Sequence, residues 1–293
     1  MRSPTIAIVG AGNLGSALAI ALDRAGYSIS EVVSRPALSS QRRARTLARK
    51  VGARATVIND PKSTAQTVWL CVPDREIAPC ALRLASRISG WKGMIVLHPS
   101  GSLTSDALET LRNQGASVAS AHPLMTFVPG TQPSLEGVGF AVEGDRAAVR
   151  VVRQMVARVG GEFFPISKKR KAAYHTWATF TSPLLTALLA VAEEVARTAG
   201  ISRAEARRRV IPILRETLDN YAHFGPRASF SGAIIRGDTA TVNRHLQQLN
   251  GLFVAANVYR ALGIAALNFL PAKNREVLAK ALRRSMRSKR DFD

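Results

Sequence analysis

Apolar residues follow two different rhythms along this chain. Up to about residue 166, short apolar runs alternate with longer segments of helical spacing, and beyond it only helical spacing remains. A strand followed at once by an Ala/Leu-rich helix is predicted over residues 5–22, with further strands at 28–33, near 55, and at 67–72, 93–97 and 116–121. A basic helix is expected over 37–51, and a last strand at 137–142 precedes a helix from Asp145 and a short strand at 162–164. Strands that alternate with helices predict an α/β, doubly wound, mostly parallel sheet, with functional groups at the carboxyl ends of its strands.

The second rhythm starts near Ser167. Residues 169–199 are apolar nearly all round, which predicts a buried central helix, kinked where Pro183 interrupts it. Ser202-Arg-Ala-Glu205 follows the stop at Gly200 and reads as a capping box opening the next helix. Asp238, after Gly237, caps a helix through about Leu249, and residues 252–262 and 272–287 supply two more. The expected organisation is a Rossmann-like dinucleotide-binding domain at 1–166 and an all-α domain at 167–293, with a substrate cleft between them.

The turn between the first strand and helix reads Gly10-Ala-Gly12-Asn13-Leu14-Gly15. Gly10 permits the tight turn, Gly12 admits a pyrophosphate close to the backbone, and Gly15 lets the helix pack on the strand. The helix N-terminus then offers free N–H groups to phosphate. A plain strand–turn–helix corner would use the glycines for packing alone. The second strand ends in Ser34-Arg35, where an NAD site carries an acidic residue for the ribose hydroxyls. A hydroxyl followed by a guanidinium suits a 2′-phosphate instead, so the expected cofactor is NADP(H). Arg42 and Arg43 either add to that pocket or are solvated surface residues.

Charge adds one question to this picture. The net charge is +21, and arginine supplies 32 of the 41 basic residues. They are scattered, and the clusters at 168–171, 207–209 and 283–290 read as solvated helix faces. No aromatic interleaving accompanies them, so an anionic small substrate is expected and nucleic acid is not. The last dozen residues read as a frayed basic tail. No stretch reads as long and apolar enough to cross a bilayer, and no signal segment is seen. The two cysteines, Cys71 and Cys80, lack metal-ligand spacing; they fit small buried residues in a reducing cytoplasm, with no metal site.

Further patches join the fingerprint: Val72-Pro73-Asp74-Arg-Glu-Ile77, His98-Pro-Ser100-Gly-Ser102, Ala121-His122-Pro-Leu-Met125, Ala173-Tyr174-His175 and Ser231 through Arg236-Gly-Asp238. With them the chain resembles a bacterial family of NADP-dependent oxidoreductases that joins a Rossmann-like domain to a helical C-terminal domain of unknown function. Its layout is similar to that of pyrroline-carboxylate reductases, prephenate dehydrogenases and hydroxyacid dehydrogenases (a 6-phosphogluconate-dehydrogenase-like layout). The resemblance implies hydride transfer between NADP(H) and a small carbonyl or imine compound, with Gly10, Gly12, Asn13, Leu14, Gly15, Ser34, Arg35, Val72 and Pro73 at the cofactor. Three departures stand out: Met125 where Gln is usual, Pro183 where Asn is common, and Gly232-Ala233 in place of Gly-Pro.

An acid/base group is needed for such a reaction. His122 follows a strand end, titrates near neutrality and is followed by Pro123; a structural histidine serving loop carbonyls is the alternative. Lys171 and His175 share a helix face at a spacing of four, and related hydroxyacid dehydrogenases use a Lys at this place as acid/base. Lys171 can equally belong to a solvated basic run, and His175 to helix packing. Ser100 and Ser102 can donate to a carboxylate or carbonyl, or one of them caps the helix near Thr104. His98 is structural or cofactor-adjacent, Asp74 is ambiguous between a cap and an acid, and Arg236 can pair with a substrate carboxylate. The departures at Met125 and Pro183 keep a second class open, a non-catalytic NADP-binding regulatory or partner-binding protein. The apolar surface over residues 177–195 exceeds what a small helical domain buries, so a homodimer is expected.

Overall fold

The computed structural model describes residues 4–61 and 65–283. The expected basic tail lies, from residue 284 on, outside the described residues. The chain divides into two compact units, Met1–Ser182 and Pro183–Asp293.

In the first unit eight strands form one sheet: β1 (Ile6–Val9), β2 (Ile29–Ser34), β3 (Arg54–Val57), β4 (Thr67–Leu70), β5 (Ile95–His98), β6 (Ser117–Pro123), β7 (Gly139–Gly144) and β8 (Glu162–Pro165). Their order is β3-β2-β1-β4-β5-β6-β7-β8, and only β6 and β7 pair antiparallel. The chain crosses from β3 back over the sheet to β4, so the strand order reverses between β1 and β4. In open α/β sheets the crevice for a ligand lies there, outside the carboxyl ends. Helices α1 (Asn13–Arg24), α2 (Leu38–Lys50), α3 (Asp74–Arg87), α4 (Glu109–Asn113) and α5 (Arg146–Arg158) connect the strands. Strands β1, β4 and β5 are buried along their whole length because apolar clusters cover both faces of the sheet. Helix α6 (Lys171–Thr181) completes the first unit.

The second unit holds α7 (Pro183–Thr198), α8 (Arg203–Ser229), α9 (Ala233–Arg236), α10 (Thr239–Gln248), α11 (Phe253–Phe269) and α12 (Arg275–Arg283). The Ser202 hydroxyl accepts from the Glu205 N–H, and the Asp238 carboxylate accepts from the Thr241 N–H at 2.9 Å, so both expected caps are formed. Gly225 at φ 72° breaks the helical run of α8 just before Pro226.

Residues 169–199 match the expected interruption at Pro183 but not the expected burial. They form two helices with a break at Ser182 (φ −129°, ψ −72°), as a proline at 183 requires, since it has no N–H for the preceding turn. They are not a buried central element: Lys171 and Tyr174 are the buried residues of α6, and α7 buries none. The expectation that no stretch could span a bilayer is also corrected, because 168–198 passes on length and hydropathy. It is broken at Ser182, however, and its first half is tied into the sheet unit by polar groups described below.

Candidate active site

The glycines of the first turn are each required for a different reason. Gly10 has φ +101°, and a Cβ there would lie 2.3 Å from the Cys71 carbonyl oxygen. A Cβ on Gly15 would lie 2.1 Å from the Gly10 carbonyl oxygen, so α1 can approach β1 and β4 only without one. Around Gly12 a Cβ would meet nothing within 4 Å, which leaves the backbone open to a ligand. Gly12 is also the N-cap of α1 and supplies no side chain, so the first amides of the helix are left for an anion. A cradle closed at Gly10 and Gly15 and open at Gly12 fits a pyrophosphate.

This loop forms one wall of a cavity of about 590 Å³, lined also by Ser34, Arg35, Val72 and Pro73. Asn13, Leu14 and Gly15 are not among its lining residues; they shape the helix start, and the Asn13 amide donates to the Phe127 carbonyl at 3.2 Å. Ser34 is buried and its hydroxyl donates to the Thr56 carbonyl at 3.3 Å. Arg35 is exposed, with Nε donating to the Ser40 hydroxyl at 2.9 Å, which holds the guanidinium against the first turn of α2. Arg43 lines the cavity and Arg42 does not. Arg75 and Arg83, both on α3, line it as well, and no sequence signal had set them apart from other surface arginines. Four arginines against one carboxylate, Glu76, make the cavity a site for an anion.

A second cluster sits at the carboxyl ends of β5 and β6, and Asp74 links it to the cavity. Asp74 lies between the lining residues Pro73 and Arg75, and its Oδ2 accepts from both the Ser100 and Ser102 hydroxyls at 2.8 Å. Asp74 is thus neither a cap nor an isolated acid. The Ser100 hydroxyl accepts in turn from the Leu103 N–H at 3.0 Å. The cap near Thr104 is Thr104 itself, whose hydroxyl accepts from the Asp106 N–H, and not Ser100 or Ser102.

His98 is fully buried and structural. Its Nδ1 accepts from the Ser100 N–H at 3.2 Å, so Nε2 carries the proton and donates to the Thr104 carbonyl at 3.0 Å. Burial holds its pKa down to about 4, which keeps it neutral.

Between Ser100 and Ser102, Gly101 packs against two imidazoles. A Cβ there would lie 2.4 Å from His175 Cδ2 and 2.9 Å from His122 Nε2. The two rings meet edge to face with centroids 5.9 Å apart. On its other side His122 Nδ1 is 2.8 Å from the Tyr174 hydroxyl oxygen. Burial, with help from the Lys171 charge, pushes His122 down to about 4, and burial pushes the Tyr174 phenol up to about 12. Both are therefore neutral near pH 7. Tyr174 was legible in the sequence only as the neighbour of His175; a tyrosine on a helix carries no signal of its partner.

Lys171 is fully buried, and its Nζ donates to the Ser100 carbonyl at 2.9 Å and to the Ser120 hydroxyl. The expected Lys171–His175 pairing on one face is present, but only His175 keeps part of its surface exposed. Met125 is exposed, and Arg236 lies at the end of α9 in the second unit. Both cysteines are free thiols, and burial pushes both up, Cys80 to about 12. No metal-binding cluster occurs among the described residues.

Residues 2–123 match the model of the Rossmann-like domain, and residues 138–266 that of a domain of unknown function, DUF2520. The chain therefore joins a Rossmann-like domain to a DUF2520 domain. No curated protein matches it. Among solved structures it is similar to a provisionally named NADP oxidoreductase from Bacteroides fragilis, with 21% identity, 90% of this chain and 98% of that one covered, and a TM-score of 0.76. A Thermotoga maritima protein is 24% identical over 95% of this chain and 100% of its own, with a TM-score of 0.69. A reductive aminase from Aspergillus terreus, crystallised with NADPH and ethyl-5-oxohexanoate, is 16% identical over 96% and 100%, with a TM-score of 0.64.

Proposed function

We propose that this Rossmann-like/DUF2520 chain is an NADP(H)-dependent oxidoreductase acting on a small, anionic carbonyl or imine compound. The observation that carries the reading is a run of residues joined by chain adjacency at Asp74 and by contacts beyond it. It runs from the arginine-lined cavity through Asp74 to Ser100 and Ser102, and from Gly101 to the imidazoles of His122 and His175. Relatives of the same fold named as an NADP oxidoreductase and as a reductive aminase with NADPH agree with it.

The 2′-phosphate falls to Arg35, with Arg43 and Arg83 beside it, since no acidic residue follows β2 to take ribose hydroxyls. A reduced nicotinamide supplies the hydride when the cofactor is bound. The chain must then deliver a proton to the substrate oxygen or nitrogen. His122 does so from Nε2–H, while the Tyr174 hydroxyl returns a proton to Nδ1 and is refilled from water. Because burial disfavours an imidazolium, the neutral ring gives up its Nε2 proton only as Nδ1 takes the phenol proton in the same step, and the phenolate left behind is reprotonated by water. His175 flanks the same glycine and keeps part of its ring exposed, where it can orient a bound substrate.

The exposed Leu184, Leu185, Ile213 and Phe224 of the second unit support a homodimer through the helical units, with light scattering at micromolar concentration expected to give twice the chain mass. Two free thiols, Cys80 buried and Cys71 half-buried, fit work in a reducing cytoplasm.

The test is a titration with NADPH and NADH, followed by a screen of keto acids and cyclic imines for NADPH oxidation. NADPH should bind more tightly than NADH, and Arg35→Ala should weaken NADPH by ~10-fold or more while leaving NADH unchanged. His122→Ala should lower turnover by ~100-fold or more without loss of cofactor binding. Equal affinities sink the NADP assignment. Tight binding with no turnover in the whole screen would instead favour a cofactor-binding protein without catalysis.

A further inference from the structure

We infer that Lys171 is a positioning residue: its buried ammonium, bonded to the Ser100 carbonyl and the Ser120 hydroxyl, locks the 98–104 loop so that Gly101 seats the His122 and His175 rings, and it is not itself the proton donor. The inference rests on the proposed role of His122, and it departs from the acid/base role that the family resemblance suggests for this lysine.

Geometry carries it. Lys171 has no exposed surface, so a substrate atom cannot reach Nζ without displacing the loop. Two donors converge on one acceptor, because the Ser120 hydroxyl also reaches the Ser100 carbonyl, at 3.1 Å. Ser100 thereby has its carbonyl, amide and hydroxyl all engaged, by Lys171 and Ser120, by His98 and by Asp74. A loop fixed at all three groups holds the next residue, Gly101, to a tolerance set by the two imidazoles. Lys168, three residues earlier, bonds Asp106, so the start of α6 is tied down at two points.

The groups facing Lys171 and His122 come from several elements. Glu143 on β7 is buried and accepts from the Ser105 N–H at 2.6 Å and its hydroxyl at 2.9 Å. Asp74 comes from the start of α3, His98 from β5, and Tyr174 and His175 from α6. Burial pushes Lys171 down to about 8, against the opposing pull of Glu143 and Asp74, so the ammonium persists at neutral pH. That charge is also one of the influences keeping His122 neutral.

The test combines two readouts on the full chain. Reductive methylation with formaldehyde under native conditions, read by mass spectrometry, should modify the exposed Lys168 and Lys169 and leave Lys171 ~100-fold slower. Methylation of Lys171 at a rate comparable to its neighbours, with or without NADPH, overturns the proposal. In Lys171→Met, NMR titration of the His122 ring should show a midpoint raised by ~0.5 pH unit or more. An unmoved midpoint in a folded variant likewise overturns it, and Lys171→Gln gives the same comparison if the Met variant does not fold. Failure of the unaltered chain to bind NADPH, followed by fluorescence, counts against the cofactor reading and leaves both results on Lys171 standing.

Discussion

The two units of this chain solve the burial of apolar surface in opposite ways. In the first, helices cover both faces of a parallel sheet, and β1, β4 and β5 are buried throughout. In the second, α7 and α8 bury none of their residues, and Ile213, Leu218, Tyr221 and Phe224 stand exposed. A layered α/β unit completes its core within one chain because each helix has a sheet to lie on. Long helices that are apolar on more than one side leave surface that further contacts must cover. The cofactor cavity and the His122 cluster sit in the self-sufficient unit, where a Cβ misplaced by an ångström is not tolerated.

Gly15→Val probes that intolerance most strongly. The new side chain meets the Gly10 carbonyl at 2.1 Å and forces α1 off the sheet, so a loss of about 4 kcal/mol in urea unfolding and of NADPH binding is expected. Gly12→Ala sharpens the contrast: with open space around it, stability should hold while cofactor affinity falls by ~10-fold. A Gly15 variant as stable as the parent breaks the comparison.

Acid is the next largest effect. His98 is buried neutral with its pKa lowered to about 4, so between pH 6.5 and 4 the unfolded chain binds a proton that the folded chain does not. Stability present above pH 6.5 is therefore lost on acidification, by about 3 kcal/mol for His98 alone. His122 acts in the same direction. Both histidines lie in the sheet unit, so hydrogen exchange at pH 4.5 should show protection lost there first. Equal loss in both units contradicts this. The smallest effect is expected in the helical unit: Asp238→Ala removes the bond to the Thr241 N–H and should lower the thermal midpoint only slightly.

Much of the fold was legible because its signals are local. Apolar runs bounded by glycine marked the strands within a few residues, and Ser202, Asp238 and Pro183 marked helix ends through their own backbone chemistry. The site was legible in part. His122 and His175 are singled out by residue type, and the cofactor end by the glycine spacing. Asp74 was marked only as a cap or an acid, and Tyr174, Arg75 and Arg83 were not marked, since each takes its role from a partner distant in sequence or from a wall of the cavity. Lys171 shows the limit most clearly: beside Lys168, Lys169 and Arg170 it reads as one of a solvated run, and yet it alone of the four is buried.

The sequence by itself determined the strand–helix alternation, the glycine-rich turn and the absence of an acidic residue after β2, because these depend on backbone freedom, periodicity and residue type within a few positions. Packing in three dimensions alone sets which polar groups meet: that Gly101 packs against two imidazoles, that Asp74 gathers two serine hydroxyls, and that an ammonium lies behind them out of water. Hydrogen-bond partners from β5, β6, α3 and α6 converge only once the sheet has stacked its strand ends, and burial, which shifts the protonation of His98, His122 and Lys171, is a property of that packing rather than of any residue.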